Sequence, residues 1–361
     1  MIEAVHQFLP TYAARDAVGA HTRHAQSVLR DMGLRSEVYA EGRTGVGFRA
    51  AHDLRSYRGD GARALLLYQL STGSKVADVV LARPEPKAVN YHNITPAELF
   101  APWEPHVGGE LAKGRRQLEA FARTAVAGIA VSRYNEADLR ATGFARTAVA
   151  SAMVDLDALE KAADPRVLDD LQREKRRGGA DLLFVGRVAP NKAHHDLVKA
   201  FAAYRRTYDP EARLHLVGGA SSHAYLTAVR KFAKGLGLQR WVKFVGSVPD
   251  GVLAAHYRAA DAFVCLSDHE GFCVPLLEAM HNRVPIVAFA AAAVPETVAD
   301  AAVVLPSKEP ALVAAAVHRV VSDAAVRHAL VEAGTARLAD FELAKSKAAF
   351  RRAVESVLAD L

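Results

Sequence analysis

The chain of 361 residues has only two cysteines, Cys265 and Cys273, and no CxxC pair. So few exclude a disulfide framework and suit a reducing compartment. No uncharged apolar run approaches the ~20 residues that cross a bilayer. The N-terminus, MIEAVHQFLP, lacks a positive flank and a long apolar stretch, so it does not read as a secretory signal, and a cytoplasmic protein is expected. Aromatics are scarce at 7%, and the cations are spread along the chain. Nucleic-acid binders concentrate basic charge with interleaved aromatics, so no nucleic-acid partner is expected. No GxGxxG follows a strand, which counts against a nicotinamide dehydrogenase.

What is present fits a soluble globular protein: 51% apolar and 24% charged residues. At ~150 residues per domain the length suggests two domains. Lys and Arg outnumber Asp and Glu by 46 to 40, a net charge of +6. That excess fits an anionic partner such as a nucleotide, a phosphate or a lipid surface.

Short apolar runs alternate with helical patterns along the whole chain. Strands are expected at Ile2–His6, Glu37–Ala40, Ala64–Tyr68, Ala88–Tyr91, Gly128–Val131 and Thr147–Ala150. The plan then repeats at Leu182–Val185, Leu214–Val217, Val242–Val245, Ala262–Leu266, Pro285–Phe289 and Ala302–Leu305. This is the pattern of parallel sheets covered by helices. The charged stretch Asp155–Gly179, with Pro165 and a Gly178-Gly179 end, reads as a linker. The expected domains are residues 1–165 and 166–342, with a closing helix over 343–361 that could cross back to the first domain.

In doubly wound sheets ligands bind beyond the carboxyl ends of the strands. After Leu182–Val185 come Gly186-Arg187 and Asn191-Lys192, followed by a helix. Glycine permits a tight turn, and the two cations near a helix N-terminus suit phosphate oxygens; the plain alternative is two solvated cations. After Ala262–Leu266 runs SDHEGFCVPLLEAM, with Glu270 in the loop and Glu278 about one turn into a helix. A carboxylate there can accept paired hydroxyls; the plain alternative is acids placed to suit a helix dipole. Asp155-Leu156-Asp157, the one DxD, falls at the domain border and reads as crossover structure. The cluster His194-His195-Asp196 reads as a helix start rather than a metal site, since adjacent helical residues face different ways.

The order and spacing of several pieces resemble glycosyltransferase family 4. They are Phe184-Val185-Gly186-Arg187 with Lys192, Leu216-Val217-Gly218-Gly219, Val242–Val248, Tyr257 with Ala260-Asp261, and Glu270-Gly271-Phe272 through Glu278-Ala279-Met280. Tyr91-His92-Asn93-Ile94-Thr95-Pro96 and Val131-Ser132 extend the likeness into the first half. The resemblance implies an α/β GT-B fold, two Rossmann-like doubly wound domains facing a central cleft. It also implies a retaining transferase that takes a UDP- or GDP-activated sugar as co-substrate and needs no further cofactor and no metal. It assigns His92, Arg187, Lys192 and Glu270 to catalysis. To the donor it assigns Gly19, Gly186, Gly218, Phe244, Val248, Gly271, Phe272, Cys273, Leu276 and Glu278.

Three positions depart from the family pattern. The first loop, Asp16 to His21, has one glycine, Gly19, where the family often has two. Cys273 and Ala193 stand where glycine is usual. Asp16, His21 and Asn93 are placed toward the acceptor. That acceptor is either a glycan or lipid-linked sugar at a membrane, or a small metabolite. Lys113, Arg115, Arg116, Leu118, Phe121 and Arg123 could form a basic amphipathic face making weak peripheral contact with the inner face of a membrane; the other reading is a solvated helix face. A GT-B epimerase or a non-catalytic nucleotide-sugar binder would share the fold.

Overall fold

The structure is a computed structural model, and it describes residues 2–13, 16–44, 50–157, 163–359 and 361. In chain order the first elements are β1 (Ala4–Ala13), α1 (Ala17–Asp31), β2 (Val38–Thr44), β3 (His52–Asp53), β4 (Ala64–Leu70), α2 (Lys75–Ala82), β5 (Lys87–Tyr91), α3 (Pro105–Thr124), β6 (Ala127–Ala130), α4 (Arg133–Thr142) and β7 (Thr147–Val149). The second set is α5 (Pro165–Lys175), β8 (Asp181–Val185), α6 (His194–Thr207), β9 (Arg213–Val217), α7 (His223–Gly235), β10 (Val242–Gly246), α8 (Asp250–Ala259), β11 (Ala262–Cys265), α9 (Val274–His281), β12 (Ile286–Phe289), α10 (Val294–Val298), β13 (Ala302–Leu305), α11 (Pro310–Ser322) and α12 (Ala324–Leu338). Helix α13 (Leu343–Leu358) closes the chain.

Two compact units result. One comprises residues 1–101, 105–154 and 341–361, and the other residues 102–104 and 155–340. Each holds one wholly parallel sheet. The first has strand order β3-β2-β1-β4-β5-β6-β7, the second β10-β9-β8-β11-β12-β13. In both, the order reverses beside the first strand, between β1 and β4 and between β8 and β11. That is the doubly wound Rossmann arrangement, with its ligand crevice at the carboxyl ends of the two strands at the switch.

The strands form because apolar runs can be buried on both faces of a parallel sheet. Ala64–Leu70 is buried throughout. β1 continues to Ala13, well past the expected His6. Its buried Gln7 breaks the apolar run but is satisfied inside the unit, so the strand does not end there. In the first unit Val5, Leu29, Leu67 and Ile129 pack with Phe350 and Val354 of α13.

The expected linker Asp155–Gly179 needs correction. Residues 158–162 lie outside the described residues, but Pro165–Lys175 is a helix. Pro165 occupies its first turn, where no N–H bond is lost, and the Asp164 carboxylate caps the Arg166 and Val167 amides. Val167, Leu168 and Leu171 share one half-buried stripe, and the helix packs on α8. Its charges mark the solvent face of an amphipathic helix rather than a loose tether. The short helix α2 also went unread; its Ser74 cap and three buried residues suffice for two turns.

Candidate functional site

In the second unit, β8 and β11 are direct neighbours, with Ala262 opposite Leu182 and Phe263 opposite Leu183. The loops that follow them therefore emerge side by side. After β8 the chain bends past Gly186 and the exposed Arg187 into a single 3-10 turn, Pro190–Lys192. Gly218, at the end of β9, lies so close to this bend that a Cβ there would sit 2.1 Å from the Gly186 carbonyl oxygen. No side chain fits, so glycine at 218 sets the approach of the two backbones.

Lys192 reaches across to the β11 loop. Its ammonium lies 2.5 Å from Glu270 Oε1, with side chains 19% and 7% exposed. Burial alone would lower the lysine; the Glu270 carboxylate, with Cys273 and Cys265 nearby, outweighs it and raises the ammonium's pKa. One ion pair leaves two further ammonium N–H groups for a ligand. The Asp268 amide donates to the Asn191 carbonyl at 2.9 Å, and Asn191 Nδ2 to the His269 carbonyl at 3.3 Å, fastening one loop to the other. Lys308 clamps both from outside, 2.6 Å from Asp196 and 2.5 Å from Asp268.

The two departures from glycine fall on left-handed backbone. Ala193 has φ 48° and Cys273 φ 68°, and Asn93, beside His92, has φ 91°. Each is strained for a residue with a Cβ, a cost of roughly 1–2 kcal/mol. Strain of this kind persists where the surroundings over-determine the backbone, typically at functional sites. At Cys273, Thr297 Oγ1 donates to the preceding Phe272 carbonyl at 2.7 Å and anchors the turn. The buried Cys265, Glu270 and Cys273 bring their ligand atoms within 4.8 Å of one another, a grouping the sequence did not suggest. The Lys192 ammonium against Glu270 competes with any cation for that carboxylate.

Glu278 stands on α9, half-buried, and its Oε2 accepts a 2.7 Å hydrogen bond from Tyr257. Burial pushes its carboxyl up; the Tyr257 bond acts against this, and Asp250 adds to the rise. Phe244 and Val248 are half-buried on and after β10, where the register against β9 shifts between Phe244 and Gly246. Arg230 lies 5.3 Å from the Phe244 ring centroid. Gly271 is half-buried beside Phe272, whereas Leu276 is fully buried in the core.

In the first unit, His92 follows β5 with its Nε2 2.7 Å from Gln69 Oε1. Burial holds its imidazole down to about 4. Asn93 donates to Asn135 Oδ1 at 2.7 Å. The expectation that His21 meets an acceptor is corrected: it is fully buried, its ring nitrogens 2.7 Å from Asn90 Nδ2 and 3.2 Å from the Met153 amide. Exposed Asp16 caps α1, accepting from the Gly19 amide at 2.6 Å, which commits that N–H to the helix start. A Cβ at Gly19 would overlap the Ala13 carbonyl oxygen, at 1.9 Å.

The basic amphipathic face on α3 is also corrected. Leu118 and Phe121 are fully buried, Lys113 pairs with Asp78 at 2.7 Å, and Arg115 grips Asp138 at 2.6 and 2.9 Å. Arg116 and Arg123 remain exposed, without an apolar face beside them. Among the described residues no helix is long and apolar enough to cross a membrane. Sequence reading missed Gln69 and Lys308, which carry no local motif; Tyr257 lay within a matched segment, but its bond to Glu278 was not foreseen.

Two parallel Rossmann-like sheets, one carrying charged loops at its switch point, are the architecture of GT-B glycosyltransferases. Residues 169–337 match the family described as "Glycosyl transferases group 1". The D-inositol 3-phosphate glycosyltransferase of Geodermatophilus obscurus is 32% identical over 288 residues, 75% of this chain and 56% of that protein. The chain thus spans little more than half the length of that relative. Among solved structures, sucrose-phosphate synthase from Thermosynechococcus elongatus superposes with a TM-score of 0.78 at 17% identity, over 99% of this chain and 100% of that one. Anabaena HepE in complex with UDP and glucose gives 0.74 at 19%, over 99% and 100%. The second unit, which holds residues 169–337, thus matches the group 1 glycosyltransferases, and both units carry the Rossmann-like sheets of the GT-B fold.

Proposed function

We propose that the protein moves a sugar from a UDP- or GDP-activated donor to a hydroxyl-bearing acceptor with retention of anomeric configuration. The observation that carries this reading is the Lys192–Glu270 pair, held at the adjoining carboxyl ends of β8 and β11. Departure of a nucleoside diphosphate builds negative charge on phosphate and positive charge on the anomeric carbon. Arg187 and the two remaining Lys192 N–H groups meet the phosphate oxygens, and fixed cations of this kind stabilise the charge as it develops. Glu270, held by Lys192, accepts from hydroxyls of the transferred sugar, aided by the Gly271, Phe272 and Cys273 amides. Glu278, oriented by Tyr257, accepts from the ribose hydroxyls, with Phe244 and Val248 toward the base. His92 is assigned to the transferred sugar.

No carboxylate is assigned as a covalent nucleophile. In the reading we favour, the acceptor oxygen attacks the face that the diphosphate leaves, and a departing phosphate oxygen takes its proton. The relatives' names, which include inositol phosphate and phosphatidylinositol mannoside transferases, make a polyol or its phosphate a sensible first acceptor. The test is incubation with UDP- and GDP-sugars, with and without such acceptors. Acceptor-dependent release of nucleoside diphosphate and an α-linked product from an α-linked donor are expected. A product of inverted configuration sinks the retaining mechanism, and failure to bind any nucleotide sugar sinks the function.

A further inference from the structure

Behind His92 runs a chain of buried side-chain amides whose polarity is set by the backbone. Gln7 Nε2 donates to the Thr22 carbonyl at 3.1 Å. A carbonyl only accepts, so this end of the Gln7 amide must be its NH2 group, and its Oε1 faces Gln69. The Gln69 atom 2.7 Å from that oxygen must then be Nε2. Gln69 Oε1 is thereby turned toward Asn90 Nδ2 at 2.9 Å and His92 Nε2 at 2.7 Å. Gln7, Gln69 and Asn90 are all fully buried, so no water relieves a wrong orientation. Amide and imidazole orientations are assigned by such networks rather than seen directly.

An amide oxygen accepts and cannot donate, so His92 Nε2 must carry the proton. The low basicity of this imidazole keeps it neutral. A neutral imidazole has one N–H, which leaves Nδ1 bare. Nδ1 has no hydrogen-bond partner among the described residues. Asn90 Oδ1 is buried with no hydrogen-bond partner among the described residues, and the opposite end of the network bears a further mismatch. Asn90 Nδ2 and the Met153 amide both point donors at His21, at 2.7 and 3.2 Å, and a neutral ring accepts only one. The mismatch falls on the longer contact, away from His92. Reversing every amide would instead press the Gln7 oxygen against the Thr22 carbonyl.

We propose that Gln69 is a positioning residue that locks His92 as its Nε2–H tautomer, so that His92 meets its ligand through Nδ1 as a hydrogen-bond acceptor. On the functional reading above, on which this last step rests, the partner is a hydroxyl of the transferred sugar. An acceptor-only substituent at that position, such as fluorine, would not serve.

The tautomer can be read by long-range 1H–15N NMR of the full chain labelled at histidine, with His92 assigned by the peak lost in His92→Gln. The expected wild-type pattern is protonated Nε2 and bare Nδ1. Gln69→Met should give mixed tautomers and lower kcat about tenfold, the worth of one hydrogen bond, with KM for the donor changed less than twofold. Gln69→Glu keeps an acceptor and should retain Nε2–H. A wild-type His92 protonated at Nδ1 overturns the proposal. So does a Gln69→Met variant that loses the tautomer preference at unchanged kcat. If Gln69→Met does not fold, the wild-type and Gln69→Glu spectra decide. Nε2–H in a protein that transfers no sugar would leave the lock standing and defeat the function. An active enzyme with Nδ1–H would do the reverse.

Discussion

Replacing Lys192 with methionine keeps most of the side chain's volume and removes its charge. At 2.5 Å, two unit charges attract by roughly 7 kcal/mol at an effective dielectric of about 20. Desolvation of both groups offsets much of this. Removing one partner of a buried pair costs about 3–5 kcal/mol, chiefly because the other charge is left stranded. Lys192 is 19% exposed, so water can reach the stranded Glu270, and the lower end, about 3 kcal/mol, is expected at neutral pH. Lys192→Met combined with Glu270→Gln strands no charge, so the double variant should recover about 2 kcal/mol relative to the sum of the singles. Urea unfolding followed by tryptophan fluorescence measures this directly. Both tryptophans, Trp103 and Trp241, belong to the second unit, so the signal reports the unit that contains the pair. Additivity of the two substitutions within about 0.5 kcal/mol would refute a buried, coupled pair.

Two further outcomes can be measured on the same unit. His256 is buried, and burial, with His215 adding to it, holds its imidazole down to about 4 from the usual 6.5. Between those values the unfolded chain binds a proton that the folded unit refuses, so stability falls as pH falls from 6.5 to 4, by on the order of 3 kcal/mol for this group. His256→Phe should flatten that part of the pH–stability curve, and an unchanged slope counts against the assignment. Ala193→Gly, at φ 48°, should raise stability by up to about 1 kcal/mol, because relief of left-handed strain exceeds the added chain entropy. Destabilisation in the same urea assay would mean that the alanine methyl contributes more by packing than its backbone costs.

Much of the fold was legible in the chain. Twelve short apolar runs separated by helical patterns located every strand among the described residues except the two-residue His52–Asp53, because strands of a parallel sheet need apolar residues on both faces. Pro165 misled, since a proline that opens a helix looks in sequence like one that breaks a linker. Glu270 and Lys192 were legible as residues after strands. Their meeting was not, because 78 residues separate them and only the adjacency of β8 and β11 joins their loops.

By itself, then, the sequence determined the periodic alternation of strand and helix, the glycine that lets Gly218 press against Gly186, and the supply of cations and carboxylates at strand ends. Tertiary structure decided which of those charges were spent. It bound Arg115 to Asp138, enclosed His21, and committed the Gly19 amide to Asp16. It also brought Gln7, Gln69 and Asn90 into line behind His92. The physical reason is that charge and hydrogen-bonding capacity are local properties of a residue, whereas burial and partnership depend on what the fold places within about 3 Å of it.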